Sequence, residues 1–191
     1  MPHQETSEVL PAGIMGLVAR RTSCRAYQTV PVAETEIYAV LEAARLAPSA
    51  CNRQPWRFAV VRDDAARQRI VGDGFLPGIN MAWARRAPVL IVLGMETTFV
   101  THRLGAAVSG VKYPWVDLGI AGEHLVLAAT ERGLGTCWIG WIRPRVIRRI
   151  VGWPRAIKPS AVISLGYPEP GVAPVPPTAR RKALHELTTW K

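Results

Sequence analysis

Ala47-Pro48-Ser49-Ala50-Cys51-Asn52-Arg53-Gln54-Pro55-Trp56 separates two different periodicities. Before it, Ile37, Val40, Leu41 and Ala44 recur at helical spacing, with Ile37, Leu41 and Ala44 on one face. Pro48 stops that helix, since proline carries no N–H to continue the ladder. After it, residues 56–61 read as a strand rich in aromatic and β-branched side chains. Between them lies a polar loop, 49–55, bracketed by prolines. Its hydroxyl and amides offer fixed hydrogen-bonding groups for a polar heterocycle. The same residues also suit an ordinary helix-to-strand turn.

On the N-terminal side, residues 8–20 read as a first helix ending in Arg20-Arg21, and residues 31–34 lead into the second. The segment Arg20-Arg21-Thr22-Ser23-Cys24-Arg25 sets three guanidiniums and two hydroxyls within six residues. Such a cluster suits a phosphate and a second anionic centre, or a solvated helix end, where arginine is favoured in any case.

On the C-terminal side, residues 65–71 read as a short helix, 72–78 as a Gly/Pro-punctuated loop, and 80–86 as another helix. Residues 89–93 form a continuous apolar run, a buried strand. Residues 94–114 lack periodicity and read as a mobile connection, a lid over a site. The strongest helix is 115–132, with Leu118, Ala121, Leu125 and Ala128 on one face and Gly133 as its cap. Strands follow at 136–141 and 161–165, with a short helix between them opened by Pro144. Residues 168–177 hold five prolines and read as an extended arm, with an apolar-spotted tail at 180–190. Helices and strands mix without strict alternation, so the fold class is α+β, a central sheet covered by helices.

Composition narrows the function classes. The chain has 191 residues, 49% hydrophobic and 20% charged, which is one globular domain's worth. The apolar run at 87–95 is too short to span a bilayer. The polar N-terminus shows no signal-peptide pattern, so the expected location is the cytoplasm. Cys24, Cys51 and Cys137 are too few and too widely spaced for a disulfide scaffold or a four-cysteine zinc site. His3, His102, His124 and His185 are scattered, which argues against a metal site. Cys137 reads as a buried small hydrophobe. The net charge of +10 raises the question of a polyanionic partner. Twenty of the 24 basic residues are arginine, whose planar fork also favours a small phosphorylated ligand. The densest basic stretch, 143–149, reads as a solvated helix face, and no nucleic-acid-binding motif accompanies it. No phosphate-binding P-loop occurs, and the glycines at 133, 135 and 140 lack the spacing and strand-turn-helix context of a dinucleotide fingerprint.

Taken in order, these pieces resemble the FMN-dependent nitroreductase family. Arg20 to Arg25 and Ala47 to Trp56 are similar to that family's N-terminal signature. Asp117-Leu-Gly-Ile-Ala, Gly133-Leu-Gly-Thr-Cys-Trp-Ile-Gly140, Leu165-Gly-Tyr-Pro168 and Arg180-Arg181 follow in the family's order. The resemblance covers about residues 14–190. It implies a single nitroreductase-like domain with a core at about 14–167 and a mixed, mainly antiparallel sheet. It also implies a C-terminal arm, 168–191, that embraces a partner subunit in a homodimer with FMN at the interface.

The resemblance carries residue roles too. Arg21 helps to hold the flavin phosphate, with Arg20, Thr22 and Ser23 beside it, and Arg25 sits near the pyrimidine edge of the ring. Pro48, Ser49 and Asn52 belong to the segment contributed by the other subunit. Trp138, Ile139, Gly140 and Trp141 form the strand end whose backbone faces the ring. Asn80 matches an amide that contacts the ring, and Arg180 and Arg181 match tail residues that reach the phosphate. The implied activity is ping-pong reduction of nitroaromatic, quinone or similar acceptors by NAD(P)H, with no side chain as obligatory acid or base. Alternatives are an FMN-dependent oxidase or dehydrogenase of a small molecule or peptide, a flavin used with oxygen, a flavin-binding module without turnover, and a basic nucleic-acid-binding protein.

Overall fold

Residues 13–96, 111–172 and 181–191 are described by a computed structural model. The apolar run of the sequence lies at the middle of the fold. Val89, Ile91 and Leu93 point into one core layer while Leu90 and Val92 point into the other. Alternate side chains of a strand face opposite sides of a sheet. A strand apolar at every position is therefore one covered on both faces.

Four strands form the sheet: β1 (Trp56–Val61), β2 (Val89–Glu96), β3 (Gly135–Ile139) and β4 (Ile157–Gly166), in spatial order β1-β2-β4-β3. All three pairings are antiparallel. The parallel element is an isolated bridge from Ser23 to Thr136. The β2–β4 register slips between Leu93 and Gly94, so that Leu93 faces Ala161 and Gly94 faces Pro159. This bulge accommodates a proline inside a central strand, where it would otherwise break the ladder. Glycine is required at 94, because a Cβ there would lie 2.2 Å from the Trp153 ring.

One face of the sheet is covered by α2 (Glu34–Arg45) and α4 (Tyr113–Glu131), the other by α3 (Asp64–Arg69), the turns at Ile70–Gly74 and Ala82–Arg86, and α5 (Pro144–Ile150). The remaining helices are α1 (Gly13–Arg20) and α6 (Leu184–Leu187). Ile37, Val40 and Ala44 of α2 are buried, whereas Leu41 is only half-buried. On α4 the buried stripe is Leu118, Ala121, Gly122, Leu125, Val126 and Ala129, and Ala128 is peripheral. The stripe is wider than the sequence face because α4 is gripped by the sheet on one side and α2 on the other. Gly133 ends α4 with φ of 71°, a left-handed turn that glycine adopts without a Cβ penalty. Arg132 Nε then meets Glu36 Oε2 at 2.7 Å and ties this end to α2.

Several boundaries differ from the sequence reading. The helix expected at 65–71 is α3 followed by a π turn through Gly74, which shortens the expected 72–78 loop. The expected 80–86 helix is a 3-10 turn at Ala82–Arg86, entered through Asn80 Oδ1, which accepts from Ala82 N at 3.1 Å. The strand expected at 136–141 ends at Ile139. Beyond it, Ile142 bridges to Phe75, and Leu76 N donates to Trp141 O. Of the expected connection at 94–114, residues 94–96 extend β2, and α4 begins at Tyr113. Residues 97–110, and so the lid itself, lie outside the described residues, as do residues 8–12 of the first helix and 173–180 of the arm.

Candidate functional site

The segment after α1 is held as an extra edge beside β3. Ser23 bridges to Thr136, and Cys24 N donates to Thr136 O at 2.8 Å. Further on, Tyr27 is fully buried. Its hydroxyl donates to Cys24 O at 2.8 Å and pairs with Ser164 Oγ at 2.7 Å. Burial raises the Tyr27 pKa far above the ordinary phenol value, so the hydroxyl stays protonated and the anchor is permanent. Gly135 lets this segment approach, since a Cβ there would sit 2.6 Å from Cys24 Sγ. The close fit is thus written in small and aromatic residues rather than in the charged ones.

Against this rail, the arginines and hydroxyls of the first motif are displayed. Ser23 and Arg25 are exposed, and Arg21 and Thr22 are half-buried. Arg25 stacks with its guanidinium carbon 6.0 Å from the Trp83 ring centroid, and Trp83 in turn stacks on Tyr27 at 6.3 Å. Arg21 Nε lies 4.0 Å from Glu123 Oε1 on α4. Burial raises the Glu123 pKa, while Arg21 and a hydrogen bond from Trp138 pull the other way. Cys137 is buried, as its apolar strand suggests. Burial pushes its thiol up, only partly opposed by Arg25, a Ser23 hydrogen bond and Arg21. It is a packed neighbour of the motif and not a nucleophile.

Strand β3 delivers the second motif to the same place. Ile139 points into the core, so only its backbone is available, and Gly140 is exposed with no atom within 4 Å of where a Cβ would be. Trp138 and Trp141 are 37% and 48% exposed. Two large indoles half in water beside an open glycine make an uncovered shelf at the strand end. Trp141 Nε1 donates to Pro77 O at 2.8 Å, which draws the loop carrying exposed Asn80 alongside. An open cavity of about 640 Å³ joins Arg20, Thr22 and Arg25 to Gly133, Gly135 and Pro168, so the second and third C-terminal motifs also converge on the first.

The 49–54 loop is seated elsewhere, on α4. Ala50 N donates to Asp117 Oδ1 at 3.0 Å, Gln54 N donates to Ser49 Oγ at 2.9 Å, and Gln54 Nε2 donates to Asn52 Oδ1 at 2.9 Å. Pro48 and Asn52 are exposed and Ser49 is half-buried. Cys51, Asn52 and Gln54 all have φ near +50°, a costly backbone for non-glycine residues. Arg181 lies on an exposed tail, and Arg180 falls outside the described residues. The structure therefore sets Arg20, Arg21, Thr22, Ser23 and Arg25 beside β3, and ties the strand end to the loop before Asn80 through Trp141 and Pro77. It sets Pro48, Ser49 and Asn52 apart on α4.

Three contributors escaped the sequence reading. Glu123 and Asp117 lie six residues apart on α4, and one lies beside Arg21 while the other anchors the loop. Trp83 gave no signal at all, because its role beneath Arg25 depends on a contact between distant segments. His124, one of the scattered histidines, packs between α4 and α2, with Nδ1 3.3 Å from Ala43 O.

The described residues include no group of three His, Cys, Asp or Glu side chains placed to hold a metal, and no helix long and apolar enough to cross a membrane. The chain is similar to proteins of known name along most of its length. A protein of Archaeoglobus fulgidus named "Putative NADH dehydrogenase/NAD(P)H nitroreductase" is 34% identical over 161 residues, which are 80% of this chain and 84% of that one. An FMN reductase [NAD(P)H] of Bacillus subtilis is 27% identical over 87% of this chain and 70% of its own. The crystal structure of a nitroreductase family protein from Clostridium difficile superposes with a TM-score of 0.78 at 28% identity, covering 92% of this chain and 96% of that chain. The profile of the nitroreductase family matches residues 18–73 and 75–167, a span that holds both arginine-rich and tryptophan-rich edges of the shelf, and the chain belongs to that family of oxidoreductases.

Proposed function

We propose that the chain is an FMN-dependent reductase that takes electrons from NAD(P)H and passes them to a nitroaromatic, quinone or similar small acceptor. The observation that carries this reading is the pinning of the Arg21 to Arg25 segment beside β3, whose far end carries the open backbone of Gly140 between Trp138 and Trp141.

The donor set fits the cofactor. Arg21, with Arg20 and Ser23 at hand, offers charge-assisted hydrogen bonds for a phosphate monoester. Arg25, braced on Trp83, places a fixed positive charge beside the shelf and stabilises negative charge there. Gly140 lets a planar ring approach the backbone where a side chain would block it. When bound, FMN supplies the two-electron carriage that no protein side chain provides. The chain's own residues bind and orient.

A homodimer completes this arrangement. Ile14, Met15 and Val18 of α1 and Tyr113, Trp115 and Val116 of α4 are all at least 42% exposed, a larger apolar set than an isolated chain keeps in water. In the dimer, Pro48, Ser49 and Asn52 of the partner's loop cover the shelf, and the 168–191 arm with Arg181 crosses to the other subunit. The test is an absorbance spectrum of the purified protein followed by anaerobic NADPH. A yellow protein that bleaches supports the reading. A protein that stays colourless after FMN is supplied overturns it, and a yellow protein that no nicotinamide bleaches overturns the choice of donor.

A further inference from the structure

The basic stretch at 143–149 is a solvated face, with Arg143, Arg145 and Arg149 exposed, and it also borders a cavity. Arg143, Arg145 and Arg148 meet Arg155 and Lys158 across a cavity of about 540 Å³, walled by Pro144 and Pro159. That volume is in the range of small-molecule sites. No acidic side chain lines it, and none of the five cations forms an ion pair among the described residues. The nearest acid by register is Glu96, which pairs with Ile157, and its carboxylate is held by Arg57. Arg143 is partly fixed, with Nη1 donating to Asp73 O at 3.0 Å, and Lys158 Nζ sits 5.3 Å from the Trp115 ring centroid. Arg149, by contrast, turns back to Arg145 O at 3.3 Å and does not line the cavity. Five like charges converging on one concavity repel each other unless an anion fills it.

The cavity is close to the shelf. Arg143 follows Trp141 by two residues, and Arg145 follows Gly140 by five, at most about 17 Å of chain. Arg143 also lines the smaller neighbouring cavity beneath Pro77 and Ile79, where Trp141 is anchored. A ligand with one end on the shelf can therefore extend along this strip into the basic cavity.

We propose that this cavity receives the adenosine 2′-phosphate and the adjoining pyrophosphate of NADPH, and so selects NADPH over NADH. The proposal rests on the reductase reading for its ligand, and it adds the specificity-determining residues Arg145, Arg148 and Arg155. A 2′-phosphate brings up to two further negative charges, which is what distinguishes it chemically from NADH and what five unpaired cations reward.

The test compares wild type with the double variant R148Q/R155Q, neither residue belonging to the flavin site. KM for NADPH is expected to rise roughly tenfold or more, the loss of one or two charge-assisted contacts, while KM for NADH, both kcat values and the flavin spectrum hold. Calorimetric titration with 2′,5′-ADP, which needs no turnover, is expected to show binding to wild type that exceeds that of 5′-AMP and is lost in the variant. Equal KM shifts for both nicotinamides, or no preference for 2′,5′-ADP over 5′-AMP, would overturn the proposal. So would variant-sensitive, steeply salt-dependent binding of a short DNA duplex without that preference, which reassigns the cavity to nucleic acid. Should neither nicotinamide bleach the flavin, the reductase reading falls, and the 2′,5′-ADP titration alone still decides the cavity.

Discussion

The 21–27 segment and the 49–54 loop stand out about equally in the sequence, but the fold supports them very differently. The first is pinned along its length: Ser23 and Cys24 bond to Thr136, Tyr27 is buried against Ser164, and Gly135 admits the close approach. The second hangs from α4 through Ala50 and meets β1 through Arg57, which donates to Gln54 O, and it holds three non-glycine residues at positive φ. Strained, exposed backbone persists where something over-determines it. On the proposed dimer, one half of the site is finished within a single chain, and the other half is shaped for the surface of the partner.

The largest expected effect tests the finished half. Arg21→Gln removes the proposed phosphate ligand without changing the rail of contacts at Ser23 to Tyr27. FMN affinity, read by quenching of flavin fluorescence, is expected to fall about 100-fold, in line with roughly 2–3 kcal/mol for a hydrogen bond to a charged group. Riboflavin, which lacks the phosphate, is expected to bind wild type and variant alike. A variant that keeps its preference for FMN over riboflavin would place the phosphate elsewhere and break the comparison at its root.

The unfinished half gives a smaller effect of a different kind. Asp117 is 3% exposed, and its Oδ1 is the anchor for the loop through Ala50. Asp117→Ala is expected to cost about 1–2 kcal/mol, measured by urea denaturation, since it unties one buried hydrogen bond. FMN affinity is expected to fall less than in Arg21→Gln, and more steeply at low protein concentration, where the dimer that presents the loop comes apart. A loss of FMN affinity independent of protein concentration would mean that the loop serves its own chain's site.

How far the sequence foretold this follows from the range of each interaction. The strand at 89–93, the long helix ended by Gly133 and the α+β class were legible, because each is set by local periodicity or by one glycine's backbone freedom. The 80–86 turn and the end of β3 were not. They are settled by Asn80 closing onto Ala82 and by Ile142 pairing with Phe75, the latter a contact 67 residues apart in the chain. The same holds within the site. Arg21, Ser23 and Arg25 were visible as a charged cluster, but the Trp83 brace and the Glu123 partner depend on tertiary packing. The basic cavity makes the point most directly: Arg145 and Arg148 on a helix look solvated until Arg155 and Lys158 face them.

The smallest expected effect concerns that hidden partner. Glu123 lies under Arg21 and Trp138, and burial raises its pKa above the ordinary value of 4.5. Between the unfolded value and the raised folded value, the folded state binds more protons than the unfolded state, so stability falls as pH rises through that window. Glu123→Gln has no proton to exchange and no such slope. Relative to wild type, the variant is therefore expected to gain stability from pH 4 to pH 7, by only a few tenths of a kcal/mol because the side chain is close to half exposed and screened. The measurement is a pair of denaturation midpoints at the two pH values. A difference of opposite sign would mean that attraction to Arg21 outweighs the burial of the carboxylate. Glu123 would then act as part of the pinned half, holding Arg21 in place.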